Sequence, residues 1–342
     1  MTPDKDPASA RVAGVLFSRD PLIVWGPSTP PFLAGPGTTL APYIGNRRAY
    51  FLISPAWTRE RDDLVRGDLR HIAQLRAQWP EHRHVFLCAT RAELELYRVA
   101  RQPAILCGGT VFVDEHKYPV PPAREKDYDA LYNGQLVPFK RHELCVDIER
   151  LALIYHRYSD PATLGHAQRV KEMLPHATFV NELDGEHRNL KEPEIGQWIA
   201  RTHVGLCLSA EEGQTRAIAE YVMAGLPVVS TPNLGGRNEL LRPSYWIEAA
   251  PEPGAVAAAV AELKSRRLDP HAIRCTALEL LSANRQRLMQ LVRAIFQAEG
   301  RRFPETADWD QIYRRGTWPD LTAARLMAET AASETTPAAP AA

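Results

Sequence analysis

Glu212 and Glu220 stand eight positions apart in the stretch Leu208-Ser-Ala-Glu-Glu-Gly-Gln-Thr-Arg-Ala-Ile-Ala-Glu-Tyr-Val-Met-Ala-Gly225. Carboxylates so placed can accept hydroxyl protons and steady positive charge. The local pattern says where they fall. Val204–Leu208 is a short apolar run of buried-strand type. Glu211-Glu212-Gly213 breaks it, and Thr215 is positioned to cap a helix expected over Arg216–Ala224. Gly225 supplies the stop, Pro227 forbids continuation, and Val228–Ser230 reads as the next strand before a Gly235-Gly236 loop. Glu212 is therefore expected in the loop at a strand end, and Glu220 about 7.5 Å along the helix axis from Thr215. Between them lie the free N–H groups of the first turn, a ready seat for an anion. Gly213 lets backbone and ligand approach closely. A ligand with a sugar at one end, phosphates in the middle and a ribose at the other would span this layout.

The spacing, continued by Ala-Gly-Leu-Pro-Val-Val-Ser-Thr and by Gly235-Gly236-x-x-Glu239, resembles the Glu-x7-Glu signature of family-4-type retaining glycosyltransferases of the GT-B architecture. The likeness covers roughly residues 86–237. It implies an α/β chain with two Rossmann-like, doubly wound parallel-sheet domains facing a cleft. It also implies retaining, metal-independent transfer of a hexose-type sugar from a nucleotide-diphosphate donor, with no cofactor and no metal. Carried over by position, Glu212 and Lys140 are the catalytic candidates. The donor-binding candidates are Gly134, Gln135, Lys140, Gly213, Thr215, Arg216, Glu220, Gly235 and Gly236. By the same resemblance, Glu212 faces the donor hexose and Glu220 the ribose hydroxyls.

One departure stands out. The family's Gly-Arg-Leu-x-x-x-Lys-Gly loop reads here Gly134-Gln-Leu-Val-Pro-Phe-Lys140-Arg141, so a glutamine replaces the arginine that would neutralise pyrophosphate. Glutamine donates a hydrogen bond without charge, and charge-assisted bonds are about twice as strong as neutral ones. Arg141, Arg216 and Arg237 are the candidates to compensate. The same departure, with a short first domain, supports an alternative: a catalytically silent nucleotide-sugar-binding or scaffold protein of the same fold.

Forty-one basic and 41 acidic residues leave no net charge, so no global field favours nucleic acid and any anion must be bound locally. The five cysteines include no Cys-x-x-Cys pair and read as small buried thiols rather than a metal or disulfide set. The amino terminus shows no apolar signal segment and no 18-residue apolar run occurs, which points to a cytoplasmic protein without an integral membrane segment. The expected partners are a nucleotide sugar and an acceptor, whether glycan, lipid-linked glycan, small molecule or peptide.

The elements that must carry these residues alternate strand and helix, as in parallel α/β sheets. Residues 1–10 are expected to be disordered. Residues 11–124 read as a reduced amino-terminal, acceptor-side domain, with Gly26–Pro31 and Gly35–Thr39 as loops. The proline-rich joint Pro119–Lys126 leads to a nucleotide-sugar-binding domain over 125–300, including a helix expected at Glu143–Arg150. Residues 301–328, punctuated by Phe303, Trp309, Tyr313 and Trp318, are expected to return to the first domain, and 329–342 to form a disordered tail.

Overall fold

A computed structural model describes residues 10–29, 34–156, 160–304, 309–310 and 321–334. The expected disorder at 1–9, and Tyr313 and Trp318, lie outside these residues. The chain is an α/β protein that divides into two compact units, Met1–Phe112 with Ala283–Ala342, and Val113–Ser282. Relative to the boundaries expected at 124 and 300, the first crossing falls at Val113. The second falls after Ser282, inside a single long helix.

In the first unit, β1 (Arg11–Val12), β2 (Val15–Arg19) and β3 (Leu22–Ser28) precede helix α1 (Pro36–Ile44). Pro36 at the first helical position starts α1 inside the stretch expected to be a loop, because its fixed φ is already helical. Next come β4 (Ala49–Pro55), α2 (Asp62–Gln78), β5 (His82–Cys88), α3 (Arg91–Val99) and β6 (Ala104–Leu106). The sheet order is β2-β3-β4-β5-β6, parallel throughout except for the antiparallel β2–β3 hairpin. One face packs Phe51, Phe86 and Tyr97. The other packs Trp25, Leu52 and Leu87 against Leu288, Val292 and Ile295 of the long helix.

The second unit is built from β7 (Tyr128–Asn133), β8 (Leu151–Ile154), α4 (Pro161–Met173), β9 (Thr178–Phe179), α5 (Glu192–Ala200) and β10 (Thr202–Cys207). Then follow α6 (Arg216–Met223), β11 (Val228–Ser230), β12 (Trp246–Glu248), α7 (Pro253–Ser265) and the long α8 (Pro270–Ala298). All six strands are parallel, in the order β12-β11-β10-β7-β8-β9. Both faces are covered, which is why the strands read as near-continuous apolar runs.

The helix expected at Glu143–Arg150 does not form. Arg141 adopts a left-handed conformation (φ 54°, ψ 51°) between two short 3-10 turns, Pro138–Lys140 and His142–Cys145. The turns drop Leu144, Cys145 and Ile148 into the core beside Val256, Ala259 and Val260 of α7. Burial of that apolar set outweighs the local helical pattern. The tail is also more ordered than its composition suggests. β13 (Leu321–Thr322) pairs antiparallel with β1, and α9 (Ala323–Glu334) follows, with Leu326 buried. Glu329 holds Arg325 one turn away at 2.7 Å and Arg19 at 3.2 Å. The disorder expected from residue 329 therefore does not apply to 329–334, and 335–342 lie outside the described residues. No helix among the described residues is long and apolar enough to cross a membrane.

Two placements carry consequences. Gly205 in β10 lies under α6, and a Cβ there would sit 2.4 Å from the Tyr221 ring. That close approach lets the Tyr221 hydroxyl reach the end of β7, accepting from the Asn133 N–H at 2.7 Å and donating to the Leu131 carbonyl at 3.2 Å. Gly205→Ala is expected to lower stability by roughly 1–3 kcal/mol through overpacking, read as a lower urea midpoint. On β5, His82 and His84 are wholly buried, and His84 stacks on Phe51 at 5.4 Å. Burial pushes His84 down to about 3. The folded chain therefore keeps it neutral while the unfolded chain takes up a proton below pH 6.5, so stability is intact above that pH and lost as pH falls toward 3. The expected loss is about 1.4 kcal/mol per pH unit for this group. His84→Leu should flatten the acid limb of stability against pH by that slope, measured by urea titrations between pH 7 and 5.

Candidate functional site at the strand-order reversal

Strand β7 opens the second unit, and the chain then builds outward to β8 and β9 before returning to lay β10 on the other side of β7. The loops after β7 and β10 therefore leave the sheet in opposite directions. In open parallel sheets that reversal leaves a crevice at the carboxyl ends of the strands. The two loops are Gly134–Arg141 and Leu208–Thr215, and the loop after β11 runs beside the second. The isolated parallel bridge Glu211–Leu234 joins these two, reinforced by the Glu212 N–H to the Leu234 carbonyl at 3.0 Å.

Lys140 and Glu212, 72 positions apart, meet here. The Lys140 ammonium ion-pairs with Glu212 Oε1, and Ser209 Oγ donates to Glu212 Oε2. Lys140 is buried, at 6% exposure, and its carbonyl accepts the Tyr132 hydroxyl at 2.6 Å. The phenol also accepts the Leu208 N–H at 3.3 Å, which ties the two loops at their roots. The Ala210 N–H reaches the Phe139 carbonyl at 3.2 Å. Beside the pair, burial holds His142 down at about 3, with the charges of His166 and Lys140 acting in the same direction, so its imidazole is neutral.

Glu220 occupies a second polar cluster, one turn into α6. It is buried and accepts from the Tyr118 hydroxyl and from Asn133 Nδ2, each at 2.9 Å, and from Arg216 Nε at 3.2 Å. Burial pushes its carboxyl above the usual carboxylate range, against the pull of Tyr118, Arg216 and Asn133. Asn133, the last residue of β7, adjoins the loop that bears Lys140, so one strand end serves both clusters. Arg274 of α8 holds the incoming chain in place, donating to the carbonyls of Tyr118, Met223 and, at 2.9 Å, Glu115.

The arginines divide by role. Arg216 is committed to Glu192 and Glu220. Arg141 donates to the Leu208 carbonyl at 2.6 Å and to Thr231 Oγ1. Arg237, 2% exposed, donates to the carbonyls of Ser209 and Thr231 and to Ser209 Oγ at 3.2 Å. Neither Arg141 nor Arg237 joins an ion pair among the described residues. Burial, and then the Arg237 charge, hold the Arg141 guanidinium below its ordinary value. Two guanidinium charges bonded only to neutral oxygens thus raise the local potential around the β10 loop.

Of the remaining candidates, Gly134 and Gln135 open the β7 loop, and Gln135 Oε1 is buried without a hydrogen-bond partner. Gly213 is buried in the β10 loop. Thr215 is the helix N-cap residue, but its hydroxyl accepts no bond from the first turn, correcting the expected side-chain cap. The first-turn N–H groups of α6 are left without that acceptor. Gly235 has φ 109° and turns the β11 loop into Gly236–Asn238. Gln214 donates to Glu239, linking the loop to the Gly-Gly-x-x-Glu segment. Tyr118, Asn133 and Ser209 escaped the sequence reading. Ser209 stands three residues before Glu212, but Tyr118 lies 102 positions from Glu220, with no local signal to find it.

No family model and no curated protein sequence matches the chain. Among solved structures it is similar to a sucrose-phosphate synthase from Thermosynechococcus elongatus, at 15% identity over 81% of this chain and 74% of that one, with a TM-score of 0.57. It is also similar to a glycosyltransferase from Rickettsia africae, at 15% identity over 80% and 76%, with a TM-score of 0.52. At these identities the likeness is one of fold, and the fold is that of the GT-B glycosyltransferases, with two Rossmann-like domains.

Proposed function

We propose that the protein is a retaining, metal-independent glycosyltransferase that moves a hexose-type sugar from a nucleotide-diphosphate donor to an acceptor. The observation that carries this reading is the meeting of Lys140 and Glu212 at the strand-order reversal, Glu212 lying in the loop that leads into α6, whose first turn has no side-chain cap from Thr215. A diphosphate leaving group develops negative charge, and preorganised donors in a water-poor site stabilise it more than solvent does. Lys140 and the α6 N–H groups are the direct donors, with Arg141 and Arg237 supplying the charge that Gln135 does not. Glu212 faces the donor hexose and steadies positive charge at the anomeric carbon. Glu220, oriented by Tyr118 and Asn133, accepts from the ribose hydroxyls.

Gln135, uncharged and half-buried with its Oε1 lacking a hydrogen-bond partner, supports a second reading, a protein that binds nucleotide sugars without turning them over. Thermal shift across a panel of nucleoside-diphosphate sugars identifies the donor, since a ligand bound only by the native state raises apparent stability. Donor hydrolysis and transfer assays then separate the readings. Turnover is expected, with Lys140→Ala and Glu220→Ala each lowering kcat/KM by about 100-fold. Binding without turnover across acceptors favours the silent protein. Parent-like binding and turnover in both variants would refute the site assignment.

A further inference from the structure

Lys140 does not wait open for an anion. Its ammonium is already paired with Glu212, and the pair is built into the fold. Glu212 is fixed through its other oxygen by Ser209 Oγ and through its backbone N–H by the Leu234 carbonyl. Ser209 is in turn fixed through its carbonyl and hydroxyl by Arg237. The neighbouring cations do not take over, because Arg141 and Arg237 are spent on carbonyl and hydroxyl oxygens and Arg216 on Glu192 and Glu220.

We infer that Glu212 is a specificity-determining stopper on the phosphate seat, so that a ligand binds by exchange, a phosphate oxygen replacing the carboxylate on Lys140. This rests on the reading that Lys140 meets the donor's diphosphate. The exchange favours one chemical class. A displaced Glu212 keeps the Ser209 hydroxyl but loses its cation, and a partly buried carboxylate needs replacement donors. A sugar joined to the phosphate brings hydroxyl groups to that oxygen. A bare phosphate or pyrophosphate brings none, and adds negative charge beside the displaced carboxylate. The pair therefore selects glycosyl phosphates over anions that lack a sugar, which also disfavours retention of a spent nucleoside diphosphate.

Calorimetry with two base-free probes, inorganic pyrophosphate and glucose 1-phosphate, tests this on the parent, Lys140→Ala, Glu212→Gln and Glu212→Asp. Glutamine keeps the shape of the side chain and removes its charge. Glu212→Gln is expected to bind pyrophosphate about tenfold more tightly than the parent, the modest end of one partly buried charge contact. It should gain distinctly less for glucose 1-phosphate. Glu212→Asp, which withdraws the carboxylate by one methylene, should shift both affinities in the same directions and stands in if the glutamine variant does not fold. Pyrophosphate binding no tighter than the parent's, or an equal gain for both probes, overturns the proposal. Parent-like pyrophosphate binding by Lys140→Ala instead removes the reading beneath it, since the anion would then sit elsewhere.

Discussion

The second unit depends on a partly buried charge pair between two loops that leave a parallel sheet in opposite directions. Withdrawing an ammonium and a carboxylate from water is costly, and their mutual attraction repays it only where the remaining lone pairs and protons are also satisfied. At Lys140 and Glu212 that requirement reaches outward. Ser209 completes the carboxylate, Arg237 fixes Ser209, and the same guanidinium holds Thr231, so the loops after β10 and β11 are tied together. Tyr132 does the equivalent at the roots, joining Lys140 to Leu208. The order of the strands makes this possible, because only at the reversal do loops diverge enough to leave side chains facing one another.

The location of charge follows from the same constraint. A single arginine at position 135 would put its charge at the opening of the β7 loop rather than at its far end. Here the positive potential comes from Arg141, forced into a left-handed turn, and from Arg237, buried beyond the β11 loop. Both are bonded to neutral oxygens rather than carboxylates. Their charge is held rigidly behind the loop bearing Glu212, a preorganised field rather than a flexible contact.

What the sequence revealed, and what it hid, divides by range. The run from β10 through α6 to β11 was legible because its signals are local: a short apolar run, a glycine, an N-cap position, and the Gly225-Leu-Pro stop. Lys140, Glu212 and Glu220 could be named from spacing and resemblance, but not their partners. Lys140 finds Glu212 across 72 positions and Glu220 finds Tyr118 across 102, and no periodicity encodes such contacts. The helix expected over 143–150 failed for a related reason. Leu144, Cys145 and Ile148 have helical spacing, yet α7 offers them burial that two tight turns satisfy better. At Thr215 the residue type was right for a cap, but the hydroxyl is buried and makes no bond to the first turn.

The grip of Arg274 bears on how the chain can be dissected. Its guanidinium covers the Met223 carbonyl at the end of α6 and, with the same hand, the carbonyls of Glu115 and Tyr118. The stretch from Val113 to Tyr118 is thus an integral part of the second unit, although it precedes every strand of that sheet. A fragment cut at the proline-rich joint would strip the phenol from Glu220 and leave the half-buried Arg274 without the Glu115 and Tyr118 carbonyls. A faithful half-molecule has to begin before the first of these residues and extend through the opening turns of the long helix.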